Sequence, residues 1–280
     1  MSIAPEIMSP RERGYFTPIL WEPQPSLEDR ADEWSFLRER FQAVREGDFT
    51  ALDDLPGRYP ALEDRAARVF ARNLLGDAGT DEQLEAVEEY VREEVLAAER
   101  ACELCHALGL WGRLSAAEPI LVAYDRNFPA QYAEGLPAYL TTMLEADAGP
   151  VARPPTKDDD DEFAAYEQCV GEALRRQVEA FGTDRAYVQL GEEFGVERTA
   201  RQLHARLGAD RRHTMMRPFL RQRFEASTGI DCSYFYEKSD ARPLTIAAGL
   251  EEWLESPKPA AFAAGQRYFF GHWIPRRSVS

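Results

Sequence analysis

The sequence predicts an all-α protein, built either as HEAT-like helical repeats or as an irregular antiparallel bundle, with an aromatic-rich extended C-terminal segment. Three observations predict it. Apolar residues recur at three- and four-residue spacing through most of the chain. Capping residues and glycines bracket those stripes. No stretch alternates apolar and polar residues between hairpin turns, and no strand–helix–strand rhythm is present.

In chain order, residues 1–25 hold five prolines among Tyr15, Phe16, Ile19, Leu20 and Trp21, which predicts an irregular arm packed onto the body. Ser26 is the first helix N-cap candidate. Leu27, Trp34, Leu37, Phe41 and Val44 form the stripe that follows it, and Gly47 stops it. From Pro60 to Leu75 the stripe is Leu62, Ala66, Val69, Phe70 and Leu74, ending at Gly76. Thr80 then caps one long helix with acidic residues in its first turn, where the helix dipole favours them. Leu84, Val87, Val91, Val95, Ala98, Cys102 and Cys105 carry its buried face to about Leu108. Further helices are expected over roughly 113–126, 129–146, 163–181, 184–194, 196–207, 215–227 and 243–255.

The segment DAGPVARPPTKDDD at 147–160 breaks the pattern with prolines, a glycine and an acidic run. It predicts a linker or long loop between a helical subdomain at 26–146 and a second at 161–280.

Lys and Arg number 33 against 49 Asp and Glu, a formal net charge of −16. That balance repels phosphate backbones and anionic lipid, which argues against nucleic acid and membrane as partners. A basic protein would instead be steered toward it. No run of about 18 apolar residues is present. The start, MSIAPEIMSPRERGYF, has no secretory pattern. The expected location is therefore the cytosol, with reduced cysteines.

Several patterns bear on chemistry. Cys102-Glu-Leu-Cys105-His106 has the spacing of a c-type haem attachment string, and zinc is the other group it would suit. Both thiols, however, share the apolar stripe of Val91 and Ala98, where small buried cysteines belong. No second Cys or His pair stands at ligand spacing. Asp158, Asp159, Asp160, Asp161 and Glu162 lack the alternation and glycine of a calcium loop, so they read as a solvated lead into a helix. No P-loop, HExxH, GxSxG or GxGxxG is present, so neither an enzyme nor a cofactor is predicted. The arginines at 198, 201, 206, 211, 212, 217, 221 and 223 are expected to pair with acidic helices. Tyr234, Phe235, Tyr236, Trp253, Phe262, Tyr268, Phe269, Phe270 and Trp273 are expected to be mostly core, and Gly265–Pro275 has the look of a signature.

A small acidic helical chain without catalytic motifs resembles HEAT-like helical-repeat proteins and, among them, bacterial toxin-immunity proteins. That resemblance implies a non-catalytic protein that binds a cognate toxin directly and covers its active site. A basic toxin would meet the acidic surface. The contacts so implied are Asp158, Asp159, Asp160, Asp161, Glu162 and the helix residues Glu88 and Glu89. The alternatives are a helical scaffold or adaptor, and a metal or haem protein centred on Cys102, Cys105 and His106.

Overall fold

The computed structural model describes residues 14–21, 31–93, 96–128, 130–144, 154–155, 160–207, 216–237 and 240–276. The protein is all-α. Its main helices are α1 (Ala31–Arg45), α2 (Arg65–Ala78), α3 (Asp81–Arg92), α4 (Ala98–Trp111), α5 (Ala117–Asn127), α6 (Leu136–Leu144), α7 (Asp160–Phe181), α8 (Val196–Ala205), α9 (Met216–Thr228) and α10 (Pro243–Glu255). Three two-residue hairpins join them: β1–β2 (Val188–Gln189, Glu192–Glu193), β3–β4 (Tyr236–Glu237, Asp240–Ala241) and β5–β6 (Tyr268–Phe269, His272–Trp273), each antiparallel.

The chain forms two compact units. The first takes residues up to Ala78 together with Gly195–Pro275, and the second takes Gly79–Phe194 with the stretch from Arg276. This division differs from the boundary expected at 147–160, of which only Pro154, Pro155 and Asp160 fall among the described residues. Both units are discontinuous in sequence, and periodicity carries no information about which distant helices meet. A unit that pairs α2 with α9 is an irregular bundle rather than a stack of nearest-neighbour repeats.

In the first unit, α1 buries Trp34, Leu37, Phe41 and Val44, the predicted stripe. Each such side chain contributes roughly 1.5–3 kcal/mol of burial. The predicted Ser26 cap and Leu27 lie outside the described residues. Helix α2 starts later than expected because Asp64 caps it, its Oδ1 accepting from the amides of Ala66 (2.6 Å) and Ala67 (3.2 Å). It also runs past Gly76, which is buried inside it. Arg267 Nη2 donates to the Gly76 carbonyl at 2.5 Å, filling a last-turn acceptor. The arm at Gly14–Trp21 packs as expected, with Tyr15 and Leu20 buried.

In the second unit, Thr80 caps α3 in a reciprocal capping box with Gln83. The single long helix expected to Leu108 is two helices, broken between Arg92 and Ala98. The stripe could not reveal the break. Val91 and Cys102 stand eleven residues apart, within about 20° of three whole turns, so the two faces stay in phase. Helix α4 packs against α3, α5 and α6 and ends on Gly112 at φ 68°. Helix α7 buries only Tyr166, Val170 and Ala173 and exposes most of its remaining surface.

The helix expected at 184–194 is instead the β1–β2 hairpin. Leu190 and Gly191 both take positive φ, 53° and 72°, the backbone of a type I′ turn. Leucine is a rare occupant there, so no turn signature is visible. The last hairpin repeats the device with Phe270 at φ 48° and Gly271 at 83°. In each, the two turn amides donate to the end of a preceding helix. Leu190 and Gly191 reach Thr142 and Met143 of α6 at 2.7 and 2.9 Å. Phe270 and Gly271 reach Ala226 and Ser227 of α9 at the same two distances, 2.7 and 2.9 Å. Orphan helix carbonyls are thereby satisfied, which offsets the strain of an L-residue in the left-handed region.

A methyl group at Gly271 would meet nothing within 4 Å. Gly271→Ala should therefore show backbone strain alone, lowering stability by about 1–2 kcal/mol in urea denaturation.

Candidate functional site

The charge is unevenly divided. The unit comprising Gly79–Phe194 and the stretch from Arg276 carries 25 acidic against 11 basic residues, net −14, and the other unit carries 24 against 22, net −2. Much of the excess is on open helix faces of that unit: Glu89 on α3, Glu118 and Asp125 on α5, and Asp161, Glu162, Glu167 and Glu172 on α7 are all exposed.

Of the residues implied as partner contacts, Glu89, Asp161 and Glu162 are exposed on this unit. Asp161 and Glu162 stand at the start of α7, where the helix dipole favours anions. Asp158, Asp159 and the side chain of Asp160 lie outside the described residues. Glu88 is a correction. It is 5% exposed, on the face of α3 that buries Leu84 and Val91. It accepts from Ser115 Oγ at 3.0 Å and pairs with Arg92 at 3.3 Å. Burial raises its carboxyl above the usual range. Glu88 therefore joins α3 to the turn before α5 and is not presented at the surface. Nearby, Arg113 is buried between Glu85 (2.9 Å) and Asp81 (3.6 Å), and Tyr187 donates to Asp81 at 2.5 Å.

The cysteine string is interior. Cys102 and Cys105 are buried on α4. Burial pushes the Cys102 thiol up to about 11 and the Cys105 thiol well above its usual value. Thiols held protonated are poor nucleophiles and poor ligands. His106 is half-buried, with Nδ1 3.0 Å from the Tyr139 hydroxyl. Among the described residues, no cluster of three or more His, Cys, Asp or Glu side chains is arranged to hold a metal ion. Of the described arginines, Arg201 pairs with Glu197 (2.6 Å) and Arg221 with Glu225 (2.7 Å) on their own helices, while Arg223 faces Asp77 of α2. Arg211, Arg212 and Arg217 are not described at side-chain level. Of the C-terminal aromatics, Phe235, Trp253 and Phe269 are core, while Tyr234 and Trp273 are exposed.

Sequence reasoning missed a buried polar cluster in the first unit. Asp77, at the end of α2, accepts from the Tyr15 hydroxyl (2.6 Å) and from Gln222 Nε2 (2.8 Å). Burial raises Asp77 to about 6, against the opposing pull of those two donors and of Arg223 and Arg267. Glu225 accepts from the Tyr15 amide (2.7 Å), the Cys232 amide (3.1 Å) and Arg221. Burial raises it to about 7, with Arg221 opposing. The only sequence trace of the cluster is the i,i+4 spacing of Arg221 and Glu225. Such shifted carboxyls suit acid–base chemistry where a substrate reaches them. These are sealed within the core. An open cleft of about 420 Å³ lies elsewhere in the unit, lined by Glu39, Arg40, Ala43, Thr50, Ala51, Asp53 and Asp54. There Arg40 and Arg58 both pair with Asp54 (2.9 and 3.4 Å) and flank the Phe36 ring. No helix of the described residues is long and apolar enough to cross a membrane.

No protein-family model, curated protein or solved structure matches the chain.

Two outcomes follow from these positions. In the native protein a thiol reagent should modify Cys169, the exposed cysteine on α7, rapidly, and Cys102, Cys105 and Cys232 only on unfolding. Rapid modification of a second thiol would contradict this burial. Asp77→Ala should leave the Tyr15 hydroxyl and Gln222 amide without their acceptor and lower stability by about 1–3 kcal/mol in the same urea assay.

Proposed function

We propose that this chain is a non-catalytic binding protein, an immunity protein that neutralises a cognate basic toxin by docking it on the acidic unit Gly79–Phe194. The observation that carries the reading is the placement of net charge −14 on that unit, its stretch from Arg276 included, with carboxylates exposed on α3, α5 and α7. A toxin that acts on nucleic acid is basic because its substrate is anionic. An acidic face competes for the same surface and draws the toxin in at long range. The candidates for other chemistry support the same reading. The described thiols of the cysteine string are buried and protonated, and the shifted carboxyls of the other unit are enclosed in its core.

The test is co-expression in the native host, capture through a tag on this chain and titration of the complex with salt. A single basic, toxic protein should be captured and should dissociate more readily as salt rises. Charge reversal at the exposed carboxylates Glu89, Asp161, Glu162 and Glu167, each to Lys, should slow association by about tenfold or more at low salt. The difference should shrink sharply at about 0.5 M salt, where screening shortens electrostatic reach. An association rate unchanged by these reversals would remove the acidic unit from the interface.

A further inference from the structure

Helix α10 has one covered face and one uncovered face. Ile246, Leu250 and Trp253 are buried. Leu244, Ala248, Glu251 and Glu255, spaced i, i+4, i+7 and i+11, share the opposite face with Glu252, and all five are exposed. Leu244 is 88% exposed, more than any other large apolar side chain among the described residues. Pro243 is exposed beside it and Ala247 is half-buried, so the first two turns offer an open apolar surface. The charges around that surface run against the dipole of their own helix. Arg242 stands at the N-cap, the positive end, while Glu251, Glu252 and Glu255 crowd the negative end. The first turn holds no acidic residue and the last turn no basic one. Glu251 meets His204 of α8 at 2.8 Å.

We propose that this face of α10 pairs antiparallel with the same face of a second copy of the chain, about a twofold axis level with Ile246. The charge pattern selects that occupant. The face is basic at its start, apolar over its first two turns and acidic at its end, so its complement is the same face reversed. A twofold contact brings one patch against itself in this way. In that register Leu244 opposes the partner's Ala248, a small side chain that leaves room for it. Arg242 opposes the partner's Leu250, within one turn of the partner's Glu251 and Glu252. Each set of carboxylates then approaches the positive end of the other helix. A charge placement that is unfavourable in one helix becomes favourable in two.

One helix pair is a small interface, so the dimer is reversible and dissociates in the micromolar range. Leu244 is its apolar anchor, and the charged residues set its orientation. The net charge of −16 on each chain opposes association at low ionic strength. Salt near physiological strength screens that long-range repulsion and leaves the short-range contacts of the helix pair in place. The pairing uses residues of the first unit alone. It does not depend on the binding function proposed above.

Sedimentation velocity on the full chain, at about 0.15 M salt, tests it. The average mass should rise from monomer toward dimer between about 2 and about 200 µM. Leu244→Asp should weaken the dimer about tenfold or more. Its circular dichroism and urea midpoint should match the native chain, because the side chain is exposed. Arg242→Glu should also weaken the dimer, although it suits the helix dipole and so does not threaten the fold. Adding Glu252→Arg to it should restore association to within about threefold of the native chain, since the two charges exchange places across the twofold. A chain that stays monomeric at the highest concentration would overturn the proposal. So would a dimer indifferent to Leu244→Asp, which must form through another face. A double variant that associates no better than Arg242→Glu alone would overturn the antiparallel register.

Discussion

Buried Asp77 is the constraint on which the first unit depends. It ends α2, yet its donors come from the arm and from Gln222, 145 positions further along the chain. A carboxyl in a core is tolerable only when its acceptor positions are filled. Those positions are filled only when arm, α2 and α9 are all in place. Arg267 adds the segment before β5 by donating to the carbonyl of Gly76, beside Asp77. The cluster thus ties the two separated stretches of sequence into one unit and specifies which helices meet. Phe41, Phe70, Phe224 and Phe269 are buried in the same unit.

A second device recurs in both units. A tight hairpin presents two amides to the last turn of a helix, at α6 in one unit and α9 in the other. Helix ends leave carbonyls without partners, and a type I′ turn offers two adjacent donors at the matching spacing. The residue after each hairpin closes it in the same way: Phe194 bonds back to Tyr187, and Ile274 to Arg267. The side chains at these closing positions differ in each unit, Tyr187 reaching Asp81 and Arg267 reaching Gly76. The backbone solution is common, while the polar partner is particular to each core.

The contrast between the units bears on function. In one, carboxylates are largely turned outward and set the charge of the molecule. In the other, two carboxyls are enclosed, matched to donors and raised by their surroundings. Surface charge acts at a distance and suits capture of an oppositely charged protein. Enclosed charge acts locally and suits the holding of a segment. Residue type alone does not separate these roles: Glu88 and Glu89 are neighbours in sequence, yet one is locked under Ser115 and Arg92 and the other faces solvent.

Much of the helical architecture was legible in the sequence, because an amphipathic helix must repeat its apolar residues near 3.6. The stripes of α1 and α2, the Thr80 cap, the bounds of α10 and an extended aromatic end all follow from that period and from capping chemistry. Net charge was equally plain, being a sum over residues. Tertiary structure decided the rest. It split the expected long helix where the stripe runs in phase through the break, and it put Leu190 and Phe270 into turn positions that their side chains do not announce. It separated exposed from buried carboxylates and brought Tyr15, Asp77, Gln222 and Glu225 together. These outcomes depend on which distant surfaces touch, and a local period carries no record of that.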